Sequence, residues 1–197
     1  MAVQETKTVP TAPGLSQDLD TAYFASGCFW CVEAIFESVK GVSEVYSGYS
    51  GGSTPDPTYE DVSNGRTEHA EAVEVYYDPK KITYVQLVEI FFGSHDPTTP
   101  DRQGPDRGAQ YRSIAFYKDE GQKKIITDHI AQLEAAKIYE DPIVTQVVPF
   151  EKFYRAEDYH QDYEQKHPDN PYVQNVSIPR LNRFKEKFST YLKKGDH

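Results

Sequence analysis

The chain has 197 residues with 21 basic and 31 acidic side chains, which give it a formal net charge of −10. Such an acidic chain lacks the basic surface that nucleic-acid phosphates require, and it has no apolar run of the roughly 20 residues that cross a bilayer. Its two cysteines are too few for a disulfide framework or a four-cysteine zinc site. These exclusions favour a cytoplasmic enzyme without nucleic-acid or membrane partners, and we expect a monomer.

The predicted elements begin after a polar lead of residues 1–19, which shows no period and is expected to be flexible. Alternating apolar residues predict strands at 20–25, 42–48, 69–77, 111–117 and 143–148. Apolar residues at helical spacing predict helices beginning at Cys28 and after Thr83, at 120–137 and near 181–192. Residues rich in Pro, Gly and Asp predict a long loop at 94–109.

The order of these elements indicates the fold class. The order β-α-β-β-α-β followed by α-β is that of a ferredoxin-like core with an added strand. We therefore predict an α+β fold, a two-layer α/β sandwich in which the helices cover one face of the sheet. Residues 20–197 are expected to form this single domain, with a long C-terminal segment wrapped around it.

Cys28 follows a predicted strand and Ser26-Gly27, and it opens a predicted helix. The free N–H groups of a helix start favour a thiolate, so we expect a nucleophile with a pKa below the ordinary value of about 8.5. Cys31 lies at the C-x-x-C spacing of redox pairs. An inert buried Cys28 and a helix-packing Cys31 are the alternatives. The neighbouring Phe29 and Trp30 are either core residues or walls of an apolar pocket.

Glu71 lies on the same face of a predicted strand as Val73 and Val75. A carboxyl group that faces an apolar layer is desolvated, which raises its pKa and makes it a candidate general acid. The alternative is that the strand begins later and Glu71 is solvated at its rim. Spacing alone leaves these two interpretations equal.

Three further polar residues, Tyr59, Asp106 and Tyr111, lie in predicted loops or at loop ends, where they could hydrogen-bond a small ligand. Each by itself is more typical of a surface or capping residue. The six histidines show no metal-ligand spacing, and no glycine run precedes the Lys-Ser/Thr of a phosphate-binding loop. The pattern therefore predicts no metal and no cofactor.

The stretch GCFWCVEAIF, which begins at Gly27, resembles the GCFW signature of the A-type peptide methionine sulfoxide reductases. The resemblance continues in the same order, to about Tyr163, with YSGG, PTYEDVSNGRTEHAEAVEVYYDP, FFGSHDPTTPDRQGPDRGAQYRS and FYRAEDYHQDY. This match is far more specific than a lone C-x-x-C. It implies the ferredoxin-like two-layer fold that the element order also predicts.

The resemblance implies that Cys28 attacks the sulfur of a methionine S-sulfoxide, free or in an oxidised protein, and becomes a sulfenic acid. It implies that Glu71 supplies a proton to the sulfoxide oxygen and that a thioredoxin-like thiol restores the enzyme. The implied role is repair of oxidative damage. The other implied site residues are two hydroxyl donors, a loop acid and two substrate-methyl contacts: Tyr59, Tyr111, Asp106, Phe29 and Trp30.

Two departures from the family pattern concern the regeneration of Cys28. GCFW is most often followed by Gly, where this chain has Cys31, and many members carry a C-terminal cysteine that this chain lacks. Either Cys31 closes a disulfide with oxidised Cys28, or an external thiol attacks the sulfenic acid directly. Two other functions also remain open: a thioredoxin-like disulfide oxidoreductase, and a non-catalytic module that binds thioethers or peptides.

Overall fold

We describe residues 18–195 from a computed structural model, and most of the predicted lead, residues 1–17, lies outside this range. The strands are β1 (Asp20–Ser26), β2 (Val42–Ser50), β3 (Ala70–Tyr77), β4 (Arg102–Gln103), β5 (Asp106–Arg107), β6 (Ser113–Tyr117), β7 (Gln146–Pro149) and β8 (Phe153–Arg155). The α-helices are α1 (Phe29–Glu37), α2 (Tyr59–Ser63), α3 (Tyr84–Gly93), α4 (Glu120–Ala135), α5 (Tyr163–Lys166) and α6 (Ile178–Lys187). A π-helical turn, Val173–Ser177, leads into α6.

Six strands form one sheet in the order β7-β6-β1-β3-β2-β8. The central strands β6, β1, β3 and β2 are antiparallel to their neighbours, whereas β7 joins β6 in parallel. Residues that pair directly across strands share a face, and Phe24 of β1 pairs with Val73 of β3. Glu71 lies two residues before Val73, so it points to the same face, opposite Tyr49 of β2.

The helices cover that face because their apolar stripes complete its hydrophobic layer. α1, α3, α4 and α6 all contribute buried residues to one main core, together with Phe24 and Val75 of the sheet. Phe24 stacks on Phe36 of α1 with ring centroids 5.3 Å apart. A capping box begins α3, because the Thr83 hydroxyl accepts the Gln86 N–H and the Gln86 side chain accepts the Thr83 N–H.

The opposite face of the sheet is covered by residues of strands and loops rather than by helices. Tyr23 and Phe116 belong to a second, smaller core that is closed by Val148, Phe150 and Phe153. Tyr23 stacks on Phe150 at 3.7 Å and 11°. The predicted α+β fold, with helices on one face of the sheet, is confirmed.

The structure also contains short elements that the sequence pattern does not predict. They include α2, α5, the strands β4 and β5, and β8, each of five residues or fewer, and such segments are too short to show a period. β8 pairs with Gly48–Ser50, so the sheet gains a strand at both edges rather than one. The last helix begins at Ile178 rather than near 181, because Pro179 is tolerated in a first turn.

Residues 156–195, which we call the C-terminal wrap, pass over α1 as predicted. The Lys40 N–H donates to the Tyr191 carbonyl at 2.8 Å, and the Lys193 N–H donates to the Ser38 carbonyl at 2.9 Å. Phe184 of α6 is 2% exposed within the main core. Among residues 18–195 we find no helix with both the length and the apolar character needed to cross a membrane.

Candidate active site

Cys28 is the N-cap of α1 and follows β1 through the Ser26-Gly27 turn. Gly27 has φ +95°, and a Cβ there would lie 2.7 Å from the Cβ of Gln103, so glycine is required on both counts. The Cys28 carbonyl accepts the Cys31 N–H at 3.1 Å and begins the helix. The turn therefore holds the thiol at the helix start, where the residue is only 7% exposed.

Glu71 lies beside this helix start and is 2% exposed. Its Oε2 accepts the Phe29 N–H at 3.0 Å, so the carboxyl group occupies a free donor of the first turn. Burial is the largest cause that raises the pKa of Glu71, to about 8. Glu71 is therefore protonated at neutral pH. The alternative of a solvated residue at the strand rim is wrong, because β3 begins at Ala70 and is buried there.

Tyr59 and Tyr111 reach the neighbourhood of Glu71 from two different loops. Tyr59 begins α2, where Glu157 accepts its backbone N–H at 3.1 Å. Tyr111 ends a 3₁₀ turn that packs on β3. Burial, followed by the charges of Glu71 and Cys28, raises the pKa of Tyr59 to about 12 and raises that of Tyr111 too. Both hydroxyl groups therefore stay protonated and can donate hydrogen bonds.

Asp106 begins β5 and is linked to the second cysteine by a residue that the sequence did not predict. The Tyr172 hydroxyl donates to Asp106 at 2.5 Å and lies 3.8 Å from the Cys31 Sγ. Tyr172 lies 66 residues from Asp106, in a tail segment with no period and beyond the stretch that resembles the family. Only the Asn-Pro-Tyr turn signal before it was visible in the sequence.

The two thiols are buried and free of a disulfide. Burial, together with the neighbouring Cys31 and Glu71, raises the pKa of Cys28 well above its ordinary value. A hydrogen bond from Cys28 and the positive charge of Arg180 lower the pKa of Cys31 to about 6. The expected low pKa of Cys28 is therefore wrong for the substrate-free protein, because the helix start is buried and Glu71 takes its Phe29 N–H.

Arg180 of α6 places a buried positive charge behind this pair. Its Nε–H donates to the Ser94 carbonyl at 3.0 Å and its Nη2–H donates to the Ser26 carbonyl at 2.9 Å. Within the part of the chain that the structure describes, no carboxylate forms an ion pair with it. The charge therefore acts on Cys31 and Asp106, and it lowers the pKa of both. Burial is nevertheless the largest cause for Asp106, and the net pKa shift there is upward.

The sequence left Phe29 and Trp30 as either core residues or walls of an apolar pocket, and the structure gives a different answer for each. Phe29 is 1% exposed and belongs to the main core. Trp30 is partly exposed and is held by the C-terminal wrap: its indole stacks on Tyr163 at 3.7 Å and 6°, and its Nε1–H donates to Nδ1 of His160 at 3.0 Å. Trp30 therefore forms an edge of the site that a ligand can reach.

A separate group of acidic residues lies on the side of α1 that faces β2. Glu33, Glu37 and Asp162 bring carboxylate oxygens within 4.8 Å of one another. The Glu33 carboxylate already accepts hydrogen bonds from the Ser47 hydroxyl and the Asp162 N–H. Its oxygens are thus occupied by protein donors, and the expectation that the protein needs no metal stays a prediction.

The fold thus brings the predicted polar site residues into one electrostatically coupled group, Cys28, Cys31, Tyr59, Glu71, Asp106 and Tyr111. The residues that sequence reasoning did not place there come from the C-terminal wrap, and they are Glu157, His160, Tyr163, Tyr172 and Arg180. Comparison with known proteins shows the family to which the chain belongs.

Residues 20–192 match the family model described as peptide methionine sulfoxide reductase. The chain is also 51% identical over 174 residues to the peptide methionine sulfoxide reductase MsrA of Sulfolobus acidocaldarius, across 86% of this chain and 96% of that protein. The chain belongs to the peptide methionine sulfoxide reductase family. It is therefore an oxidoreductase that reduces methionine sulfoxide, and the resemblance noted in the sequence is confirmed.

Solved structures of methionine sulfoxide reductases share the fold. Methionine sulfoxide reductase A of Corynebacterium diphtheriae matches with a TM-score of 0.71 at 36% identity, over 79% of this chain and 78% of that one. Mxr1 of Saccharomyces cerevisiae in reduced form matches with a TM-score of 0.73 at 33% identity, over 83% and 92%. Mxr1 in complex with Trx2 matches with a TM-score of 0.53 at 27% identity, over 80% and 91%.

Proposed function

We propose that this methionine sulfoxide reductase acts on the S epimer of methionine sulfoxide, free or in oxidised proteins, through a sulfenic acid on Cys28. The observation that carries the proposal is the hydrogen bond from the Phe29 N–H to Glu71, which holds a protonated carboxyl group beside the thiol. The S preference and the role in repair of oxidative damage rest on family membership.

The first step transfers oxygen from substrate sulfur to Cys28. The Cys28 sulfur bonds to the sulfoxide sulfur while Glu71 donates a proton to the oxygen, which is otherwise a poor leaving group. The oxygen then moves to Cys28 as a sulfenic acid and the methionine thioether departs. The thiol proton of Cys28 replaces the one that Glu71 gave, so the carboxyl group ends the step unchanged.

Two tyrosine hydroxyl groups, two aromatic rings and one carboxyl group complete the site of this step. Tyr59 and Tyr111 donate hydrogen bonds to the oxygen as negative charge develops on it, as in an oxyanion hole. The S-methyl group lies against Trp30, with Phe29 beneath, and a thioether contact with an aromatic ring is worth roughly 0.3–1.5 kcal/mol. Asp106, through its bond with Tyr172, fixes the far side of the site.

The second step uses Cys31 as the resolving thiol. Its thiolate attacks the Cys28 sulfenic acid, a disulfide forms and water leaves. A thioredoxin-type dithiol then reduces that disulfide by exchange and is itself oxidised. The C-x-x-C spacing of the two thiols and the lowered pKa of Cys31 support this assignment, and similarity to the Mxr1–Trx2 complex supports the reductant. The monomeric state and the cytoplasmic location stay predictions from the sequence.

A peptide methionine sulfoxide assay with each sulfur epimer, a small dithiol, and wild type beside Cys28→Ser tests the first step. We expect reduction of the S epimer only, and its loss in Cys28→Ser. Reduction of insulin disulfides with no action on the sulfoxide would instead indicate a thioredoxin-like enzyme. Binding of the peptide that survives in Cys28→Ser, with no turnover in wild type, would indicate a non-catalytic module.

A single turnover without reductant tests the second step. Wild type should lose both free thiols and a mass of two hydrogens, since Cys28 and Cys31 close a disulfide. Cys31→Ser should complete the first turnover at the normal rate and lose most thioredoxin-linked turnover. If Cys31 can still be alkylated after oxidation of wild type, an external thiol resolves the sulfenic acid.

A further inference from the structure

The side chain of His160 is buried among the rings that surround the site, with 1% of the residue exposed. It belongs to the 3₁₀ turn Asp158–His160 of the C-terminal wrap. Its ring centroid lies 4.3 Å from that of Tyr59, 5.0 Å from that of Phe29 and 5.8 Å from that of Trp30. His160 therefore touches each of these aromatic residues of the site without being one of the predicted site residues.

One hydrogen bond ties this histidine to Trp30. The indole Nε1–H can only donate, so Nδ1 of His160, 3.0 Å away, must be the acceptor. The ring proton then lies on Nε2, a buried atom for which residues 18–195 provide no hydrogen-bond partner. Burial lowers the pKa of His160 to about 4, against the opposing charge of Glu157, so the ring is a neutral acceptor near neutral pH.

The other contacts of Trp30 fix the plane of its ring but not the orientation of the ring within that plane. The indole stacks face to face on Tyr163 at 3.7 Å and 6°, and it meets Tyr172 edge-on at 5.9 Å and 78°. Stacking fixes the plane of an aromatic ring but allows it to slide and turn within that plane. A hydrogen bond at the ring edge fixes the remaining direction, because it requires near-linear N–H···N geometry.

We propose that His160 is a positioning residue that sets the in-plane orientation of Trp30, and with it the shape of the pocket for the substrate methyl group. The proposal rests on the proposed function only in assigning that pocket to the methyl group. It does not require His160 to exchange a proton with substrate. A wrap residue 130 positions from Trp30 thus determines how well the sulfoxide is held.

Substitutions that keep or remove the acceptor separate this role from a packing role. His160→Asn places a carbonyl oxygen near the position of Nδ1, whereas His160→Gln places it near Nε2 and His160→Leu removes it. Trp30 is the only tryptophan of the chain, so its fluorescence reports the indole environment directly in substrate-free protein. His167→Leu is the control, since His167 is an exposed histidine whose ring lies against Tyr163, with centroids 4.2 Å apart, and has no hydrogen bond to Trp30.

We expect His160→Leu and His160→Gln to shift the Trp30 emission and to raise KM for peptide methionine sulfoxide by roughly 3- to 10-fold, the loss of one hydrogen bond. The single-turnover rate at saturation should change less than twofold, and His160→Asn should restore both readouts toward wild type. Unchanged emission and KM in His160→Leu would overturn the proposal. So would equal losses in the Asn, Gln and Leu variants, because they would indicate packing alone. Should wild type reduce no sulfoxide, the proposed function fails while the emission series still decides the orientation of Trp30.

Discussion

Two buried carboxyl groups lie on or beside α1, and they accept different numbers of hydrogen bonds from the protein. Glu33, on the helix, is 2% exposed, and its two oxygens accept hydrogen bonds from the Ser47 hydroxyl and the Asp162 N–H. Glu71, on β3, is also 2% exposed and accepts one hydrogen bond, from the Phe29 N–H. Within the described range, Oε1 of Glu71 has no protein donor.

The burial of an acid and its ability to give a proton to a substrate are therefore separate properties. Burial is the largest cause of the raised pKa in both residues, to about 7 for Glu33 and about 8 for Glu71. A shifted pKa alone therefore does not distinguish a structural acid such as Glu33 from the proposed catalytic acid Glu71. The two acids differ in their free hydrogen-bond acceptors. Both oxygens of Glu33 accept hydrogen bonds from the protein, whereas Glu71 keeps one oxygen available beside the thiol.

The largest expected effect is on the rate of the chemical step. Glu71→Ala should slow a single turnover by at least about 100-fold, the low end for general acid catalysis. Glu71→Gln should keep part of the rate, because an amide N–H can still bond the sulfoxide oxygen. Glu33→Gln is the matched control and should react at nearly the wild-type rate. Equal rates for wild type and Glu71→Ala would mean that the proton comes from elsewhere.

The pH dependence should reveal the same acid. The single-turnover rate should fall about tenfold per unit as pH rises above about 8, where Glu71 loses its proton. Since its folded-state pKa lies above the ordinary 4.5, its contribution to stability is complete below pH 4.5 and is lost as pH rises to about 8. Glu71→Gln should flatten both profiles. A falling limb that survives unchanged in Glu71→Gln would belong to another group.

Removal of the structural acid should affect stability rather than rate. Glu33→Ala leaves the Asp162 N–H without its acceptor and leaves the buried Ser47 hydroxyl only the Phe29 carbonyl, 3.4 Å away. An unsatisfied buried group costs about 1–3 kcal/mol. We expect a loss of this size in the free energy of unfolding by urea, with an unchanged first turnover. A fall in the first turnover comparable to that of Glu71→Ala would show that the two acids are not separable.

The smallest effect concerns the charge that each acid places on Cys28. The Glu71 carboxylate raises the pKa of Cys28, whereas Glu33 is not among the groups with the largest effect on it. In a Cys31→Ser background, Glu71→Gln should therefore lower the midpoint of Cys28 alkylation against pH. The shift should be below the roughly 1–3 units typical of a charge in contact. Glu33→Gln should leave that midpoint in place, and an equal shift in both variants would contradict the comparison.

Much of the site could be predicted from the sequence because the residues concerned lie on regular elements. Glu71 lies two residues before Val73 on the same strand, so both face the helices. Cys28 is the N-cap of α1 because Gly27 forms the turn after β1. Periodicity carried these inferences, and the resemblance supplied the loop residues Tyr59, Tyr111 and Asp106.

The remaining features depend on contacts that no local pattern records. The bond from Trp30 to His160 spans 130 positions, and the bond from Tyr172 to Asp106 spans 66. The raised pKa of Cys28 likewise needs the positions of β3 and the C-terminal wrap, because a helix start in isolation favours the thiolate. Burial overrode that local preference.

At the N-cap of α1, the Cys28 sulfur stands where an oxygen would stabilise the helix. Side-chain oxygens of Thr58, Thr83 and Asp119 cap α2, α3 and α4, but Cys28 makes no side-chain cap bond to α1. Serine at an N-cap contributes roughly 1 kcal/mol, so Cys28→Ser should be more stable and, from the proposed role of Cys28, inactive. The sulfur of Cys28 thus serves the proposed reaction at the expense of a side-chain cap on α1.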